Sequence, residues 1–387
     1  MTDMVYGAVV AKPGEAVLPR WWRTIDRWSL GAVIGLFLVG MLLGFAASPP
    51  LAQRNGLEPF HYVSRQAFFG MLALTAMVIT SMLSPTQIRR KAVLGFLAAT
   101  IAVALLPTFG TDFGKGATRW YSLGFASVQP SEFLKPTFVV FSAWMMAATY
   151  DLSGPPGRLL SFIVAIGLTV MLALQPDFGQ AMLILGAWSL MYFVAGAPIF
   201  LLVVIAMMVL GAGMFAYVNS EHVARRIDGF LNPEIDPRTQ LGFATNAIQE
   251  GGFLGVGVGE GTVKWSLPDA HTDFIIAVAA EEYGLVICLL IIALFSTVVI
   301  RSLIRLVRER DPFVRLAGTG LAALFGMQAL INLGVAVRLL PAKGMTLPFV
   351  SYGGSSLLAA GLALGMLLAL TRHRPQDHLS EYIGRGR

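Results

Sequence analysis

Apolar positions along this chain gather into runs of roughly 20 residues, the length that carries a helix across a hydrocarbon core about 30 Å thick. Read this way, the chain shows about ten such runs, at 28–47, 62–83, 92–109, 131–149, 159–174, 180–196, 198–218, 274–300, 314–337 and 354–371. Lipid offers no partner to backbone N–H and C=O groups, so neither an open sheet nor a lipid-exposed loop fits at that depth. The fold expected is therefore an all-α integral membrane protein of about ten transmembrane helices.

Basic residues between the runs set the orientation. They collect as Lys12, Arg20, Arg23 and Arg27, then Arg89, Arg90 and Lys91, then Arg158, then Arg301, Arg305, Arg308, Arg310 and Arg315, and last Arg372, Arg374, Arg385 and Arg387. These inner segments hold 17 of the 28 basic residues, as four, three, one, five and four in turn, and the short outer loops hold far fewer, which places both termini in the cytoplasm. The organisation expected is a cytoplasmic segment over 1–27, a polytopic domain over 28–371 and a cytoplasmic tail over 372–387. One large extracytoplasmic loop, 219–272, lies between helices seven and eight.

Composition sharpens two points. Only 13% of residues are charged, where soluble domains run near a quarter, so the net charge of +6 reads as an insertion signal and not as a nucleic-acid surface. The single cysteine, Cys288, falls inside a predicted helix, which excludes a disulfide framework and a cysteine metal site. No signal peptide is needed, because the first apolar run exceeds an h-region and a long polar segment precedes it.

Unusual residues crowd the outer connections. They are "FGKGATRWYSLGFASVQPSEFLK" at 113–135, "QPDFGQ" at 175–180, the 219–272 loop and "RLLPAKGMTLPFVSYGGSS" at 338–356. The long loop is neither low in complexity nor strongly charged, so a folded loop with short interfacial helices is expected. Its "GGFLGVGVGEG" lacks the spacing of a phosphate loop and predicts close-packed backbone near a ligand. Glu132 and Lys135 stand three apart on one helical face, either as an intrahelical ion pair or, with Arg119, as the polar lining of a cavity for an anionic head group. Asp177 reads as a helix N-cap. "SYGGSS", which contains Ser355, lacks the context of a nucleophile elbow.

The sharpest anomaly is "PDAHTDFIIAVAAEEYG" at 268–284, where acids border an apolar helix. Counting about 20 residues outward from Arg301 puts Glu281 near the outer edge of the hydrocarbon. Asp273 lies about 12 Å further along the axis, at the mouth of the bundle. A helix cap accounts for one acid but not for His271, Asp273, Glu281 and Glu282 together, so either capping or a catalytic site stays open on spacing alone.

"RWYSLGFASVQPSEFLK", "LPDAHTDFIIAVAAEEYG" and "NLGVAVRLLPAKGMTLPFVSYGGSS" resemble the three hallmark stretches of the SEDS family (shape, elongation, division and sporulation), with the last closest to its division branch. The resemblance implies a peptidoglycan glycosyltransferase that polymerises lipid II at the outer face of the bacterial inner membrane, at the division septum. It implies Asp273 as the essential acid, and Arg119, Glu132 and Lys135 in a central cavity. Lys343 and His271 are expected to contact substrate, with Glu281, Glu282 and Ser355 in support. The leaving diphosphate needs cations, from Arg119, Lys135 and Lys343 or from a divalent ion, Mg or Mn. Expected partners are lipid II, a class B penicillin-binding transpeptidase and other divisome membrane proteins. A lipid II flippase and a non-catalytic scaffold are the competing readings; polar groups crowding the outer third favour the enzyme, since transporter sites lie near the midplane. The family usually carries a small residue where Arg338 stands, which leaves the role of Arg338 open.

Overall fold

The structure is a computed structural model that describes residues 16–112, 118–124, 126–151, 153–219, 221–231, 239–267, 269–341 and 344–373. Lys343 and most of both terminal segments lie outside these residues. The helices run α1 (Val17–Thr24), α2 (Arg27–Arg54), α3 (His61–Ser81), α4 (Pro85–Ala104) and the short α5 (Leu106–Phe109). They continue as α6 (Pro130–Ala148), α7 (Gly157–Leu174), α8 (Phe178–Val194), α9 (Ile199–Asn219), α10 (Glu221–Leu231) and α11 (Gln240–Gly251). The last three are α12 (Ile275–Val307), α13 (Pro312–Ala336) and α14 (Gly354–Leu370). The apolar runs fall on helices, with 92–109 divided between α4 and α5, and α2, α3, α7, α12 and α13 are long and apolar enough by themselves to cross a membrane.

The differences at helix ends have local causes. The helix of the third apolar run starts at its basic stretch, earlier than hydropathy suggests, because Ser84 and Gln87 form a reciprocal capping box in front of Pro85. The first run extends past Pro49 and Pro50 to Arg54, although prolines usually end helices. Between α5 and α6 the chain forms a small antiparallel hairpin, β1 (Tyr121–Ser122) with β2 (Ser127–Val128). The 219–272 loop is folded: α10 and α11 lie in it, followed by a 3-10 turn at Val263–Trp265.

α6, α8, α12 and α13 share the core of the bundle, with α14 against α3 and α2 against α12. At one end of the bundle Asp26 caps α2 and pairs with Arg301 (2.9 Å) and Arg305 (3.2 Å). Arg305 also donates to the Thr371 carbonyl (3.0 Å), and Trp21 donates to Ser81 Oγ (2.8 Å). These contacts join α2, α12 and the end of α14, and tie α1 to the end of α3. The opposite end holds α11, the start of α12 and the loop 344–353.

α12 is broken at Gly284, whose φ of 70° and ψ of −164° are non-helical. The glycine loop enters the break. Val256 and Gly257 donate their N–H groups to the carbonyls of Glu281 (2.8 Å) and Glu282 (3.2 Å), and Leu285 donates to Gly252 O (3.2 Å). Backbone groups that a continuous helix would pair internally are thus satisfied from the loop, as apolar surroundings require. A Cβ on Gly251 or Gly255 would lie 1.8 Å from Ala280 O or 2.2 Å from Glu282 O, so the glycines serve backbone packing against α12. The arm from Leu285 to Val307 still spans about 35 Å, enough to cross the hydrocarbon.

Candidate functional site

Asp273 ends the turn that leads into α12. The helix is not capped by an acid: its N-cap is Phe274, without a side-chain bond. Asp269 sits in left-handed backbone at φ 54°, a conformation that aspartate tolerates better than most residues. Its carbonyl gathers the N–H groups of Thr272 (3.0 Å) and Asp273 (3.2 Å) and the Thr272 hydroxyl (3.1 Å). The turn projects the half-buried Asp273 carboxylate toward the 344–353 loop, where its Oδ2 lies 3.4 Å from the place a Cβ on Gly344 would occupy. His271 stacks in an aromatic cluster with Tyr62 (5.2 Å) and Tyr352 (5.6 Å).

Left-handed backbone recurs in the segment that borders this acid. Gly344 has φ 61°, and the buried Phe349 has φ 64°, a costly conformation for a bulky side chain that persists only where its surroundings impose it. Arg338 also lies at φ 60°, so the position favours a small residue such as glycine, which is where this chain departs from the expected pattern.

A second polar group lies at the start of α6. Glu132 and Lys135 form the i,i+3 pair at 2.9 Å, and both are buried, at 5% and 2% exposure. Gln180 donates to Glu132 Oε1 (2.6 Å), and Lys135 Nζ donates to Gln328 Oε1 (3.4 Å). Pairing with each other and with neutral amides offsets much of the desolvation of two buried charges. Arg119 donates to the carbonyls of Gln175 (3.1 Å) and Pro176 (2.6 Å), and Ser355 Oγ accepts from Gln129 N (3.3 Å). Asp177 stands at the N-cap position of α8 but forms no capping hydrogen bond; its Oδ2 accepts from Gln129 Nε2 (3.2 Å) instead. Burial pushes its carboxyl above the usual range, with Glu132 adding to the rise and Arg119 and Lys135 opposing it.

Glu281 and Glu282 face neither group. Both are almost fully buried; Glu281 accepts the N–H groups of Val263 (2.7 Å) and Lys264 (3.0 Å), while Glu282 pairs with the buried Lys264 ammonium. They anchor the outer loop to the broken helix. Lys264 escapes a reading of spacing, because its partner is 18 residues away and no periodicity joins them.

Two carboxamides on α13, also unremarked in the sequence, link the two polar groups. Gln328 receives Lys135 and donates to Thr346 O (3.0 Å). One turn on, Asn332 donates to Met345 O (2.6 Å) and Asp273 O (3.0 Å). A polar side chain inside an apolar helix was the available signal. Among the described residues no three His, Cys, Asp or Glu side chains converge as metal ligands, so they form no metal cage by themselves.

The chain matches the family model described as cell cycle protein, covering FtsW, RodA and SpoVE, over residues 27–376. It is 44% identical to the probable peptidoglycan glycosyltransferase FtsW of Caulobacter vibrioides over 366 residues, 94% of each chain. A probable peptidoglycan glycosyltransferase FtsW of Trichlorobacter lovleyi is 35% identical over 88% of this chain and 91% of that one. Among solved structures, one reported under the description "Structural coordination of polymerization and crosslinking by a peptidoglycan synthase complex" superposes with a TM-score of 0.73 at 27% identity, over 90% of this chain and 97% of that one. The rod shape determining protein RodA of Thermus thermophilus superposes with a TM-score of 0.66 at 25% identity, with the same coverage. An acid held at the head of a broken membrane helix, in a chain matched nearly end to end, leads to one assignment: this protein belongs to the FtsW, RodA and SpoVE family of cell cycle proteins.

Proposed function

We propose that this protein is a peptidoglycan glycosyltransferase that polymerises lipid II at the outer face of the bacterial inner membrane during septal wall synthesis. The observation that carries the reading is the placement of Asp273: a half-buried carboxylate on a turn pinned by strained loops, above a helix arm long enough to span the hydrocarbon. Positive-inside counting puts that end of the bundle outside. A sugar anchored to a membrane diphosphate meets the protein at this height.

The reaction joins two lipid-linked sugars. Asp273 takes the proton of the acceptor 4-hydroxyl, whose oxygen attacks the anomeric carbon of the donor. The bond from that carbon to the diphosphate breaks, undecaprenyl diphosphate departs with the electron pair, and the configuration inverts. Negative charge builds on the departing phosphate, where a fixed cation stabilises it most. Lys343, which precedes Gly344 in sequence, and Arg119 are the cations we assign to it. Lys135 contributes once its pair with Glu132 opens, and His271 and Ser355 shape the two walls. A divalent ion, Mg or Mn, held in part by a carboxylate, would supply further positive charge to the leaving diphosphate.

A class B penicillin-binding transpeptidase is the partner we assign, together with other divisome membrane proteins; the related synthase structure concerns coordinated polymerization and crosslinking. The test is purified full-length protein with its cognate transpeptidase and lipid II in detergent, which abolishes sidedness. Glycan strands are expected. Their absence, with lipid II still translocated across proteoliposomes, would replace the enzyme with a flippase.

A further inference from the structure

Three consecutive carbonyls, those of His271, Thr272 and Asp273, are each held by a separate donor from outside their own segment. Tyr352 N donates to the first (2.9 Å), Ser351 Oγ to the second (2.5 Å) and Asn332 Nδ2 to the third (3.0 Å). Asn332 and Ser351 are themselves buried, at 2% and 1% exposure. The same two side chains also grip the facing loop: Asn332 Nδ2 donates to Met345 O (2.6 Å), and Ser351 Oγ accepts from Leu347 N (2.9 Å). Each therefore spans the gap between the turn that carries the acid and the loop that borders it.

We propose that Asn332 and Ser351 are positioning residues for the reaction, fixing the Asp273 carboxylate against the 344–353 loop at the distance where proton transfer occurs. The inference rests on the general-base reading of Asp273. Neither side chain needs to touch substrate. Asn332 spends the hydrogens of its amide on two carbonyls, and Ser351 spends its proton on Thr272 O, so neither has a hydrogen left to donate to a sugar. What they control is backbone. The turn at Asp269 and the loop at Phe349 both lie in left-handed conformations, and such backbone relaxes once the bonds that impose it are removed. Because the bonds act on main-chain carbonyls, relaxation moves the whole Asp273 residue and not only its side-chain torsion. A displacement of about 1 Å at a reacting group can cost about 100-fold in rate.

The experiment measures kcat and KM for lipid II polymerisation by the full-length protein with its transpeptidase, normalised to folded protein. The variants are Asn332→Ala, Ser351→Ala and Ser351→Thr, with binding of lipid II in nanodiscs measured alongside. The two alanine variants are expected to lose about 10- to 100-fold in kcat with KM and binding near wild type, and with the acid limb of the pH–rate profile displaced. Ser351→Thr, which keeps the hydroxyl, is expected to recover most of the rate. If Asn332→Ala does not fold, the Ser351 pair decides alone. Wild-type kcat and an unmoved acid limb in folded Ser351→Ala overturn the inference, as does a loss confined to the yield of folded protein. Asp273→Asn separates the two layers: if that variant is silent while the Asn332 and Ser351 variants run at full rate, positioning fails and the base stands. If Asp273→Asn polymerises normally, the base reading itself has failed.

Discussion

Glu281 receives two successive backbone N–H groups, from Val263 at 2.7 Å and Lys264 at 3.0 Å, while being fully buried in α12. A carboxylate that caps a 3-10 turn in another segment is a tether, and cutting it strands one buried donor, on Lys264, and one half-buried donor, on Val263. Glu281→Ala is expected to cost about 2–6 kcal/mol, from roughly 1–3 per orphaned group. Glu281→Gln, which retains one acceptor oxygen, should fall between. Thermal unfolding in detergent gives the order, and an alanine variant as stable as wild type would remove the tether from the account.

Gly284 sits where only glycine fits. Its φ of 70° with ψ of −164° is outside the range of other L-residues, and an added Cβ would lie 2.4 Å from Gly255 N and Phe253 O. Gly284→Ala is therefore expected to cost at least about 1–3 kcal/mol and to loosen residues 252–257. Hydrogen exchange over that loop should rise in the variant while exchange in α13 stays unchanged.

The buried pair at the start of α6 makes an asymmetric prediction. Lys135→Met leaves Glu132 charged and nearly enclosed, which costs about 3–5 kcal/mol for a buried pair broken on one side. Adding Glu132→Gln removes the stranded charge and keeps an acceptor for Gln180, so the double variant should be more stable than Lys135→Met alone. A double variant no better than Lys135→Met would mean that the pair is not a coupled unit.

These three cases divide what the sequence discloses from what it does not. The Glu132–Lys135 pair is legible, because helical spacing alone puts i and i+3 on one face. The ten apolar runs are legible for a similar reason, since lipid demands length and polarity that a linear reading can count. The height of Glu281 above Arg301 follows from rise per residue, and it agrees with a break that leaves one spanning arm below. The partners of Glu281 and Glu282 were hidden, because Val263 and Lys264 come from a loop whose return path no periodicity encodes. Gln328 and Asn332 stand out as amides in an apolar helix, but the carbonyls to which they donate are main-chain groups that carry no residue signature. Asp177 does stand at the N-cap of α8, as its place before the helix predicts, but the bond its carboxylate accepts from Gln129, at α6's leading edge, has no signature in the sequence.

Asp177 supplies a pH prediction. Burial raises its carboxyl above the ordinary range in the folded protein, so the fold prefers the protonated form. Stability from this group is complete below the unfolded value near 4 and declines as pH rises toward the raised folded value, because the unfolded chain then ionises more readily. Asp177→Asn keeps an oxygen for Gln129 and carries no charge, so it should be at least as stable as wild type at pH 7 and should flatten that decline. Melting curves between pH 4 and 8, compared for the two proteins, give the slope; a steeper decline in the asparagine variant would reverse the assignment.

Proton transfer falls to Asp273, and polymerisation per folded molecule by Asp273→Asn shows whether the carboxylate is needed. The substitution preserves size and leaves the backbone carbonyl that Asn332 holds, so melting temperature and lipid II binding should match wild type. Loss of a general base removes about 100- to 10,000-fold in rate, which would leave glycan strands undetectable on a gel that resolves the wild-type product. Strands of wild-type length and yield from folded Asp273→Asn would contradict the account.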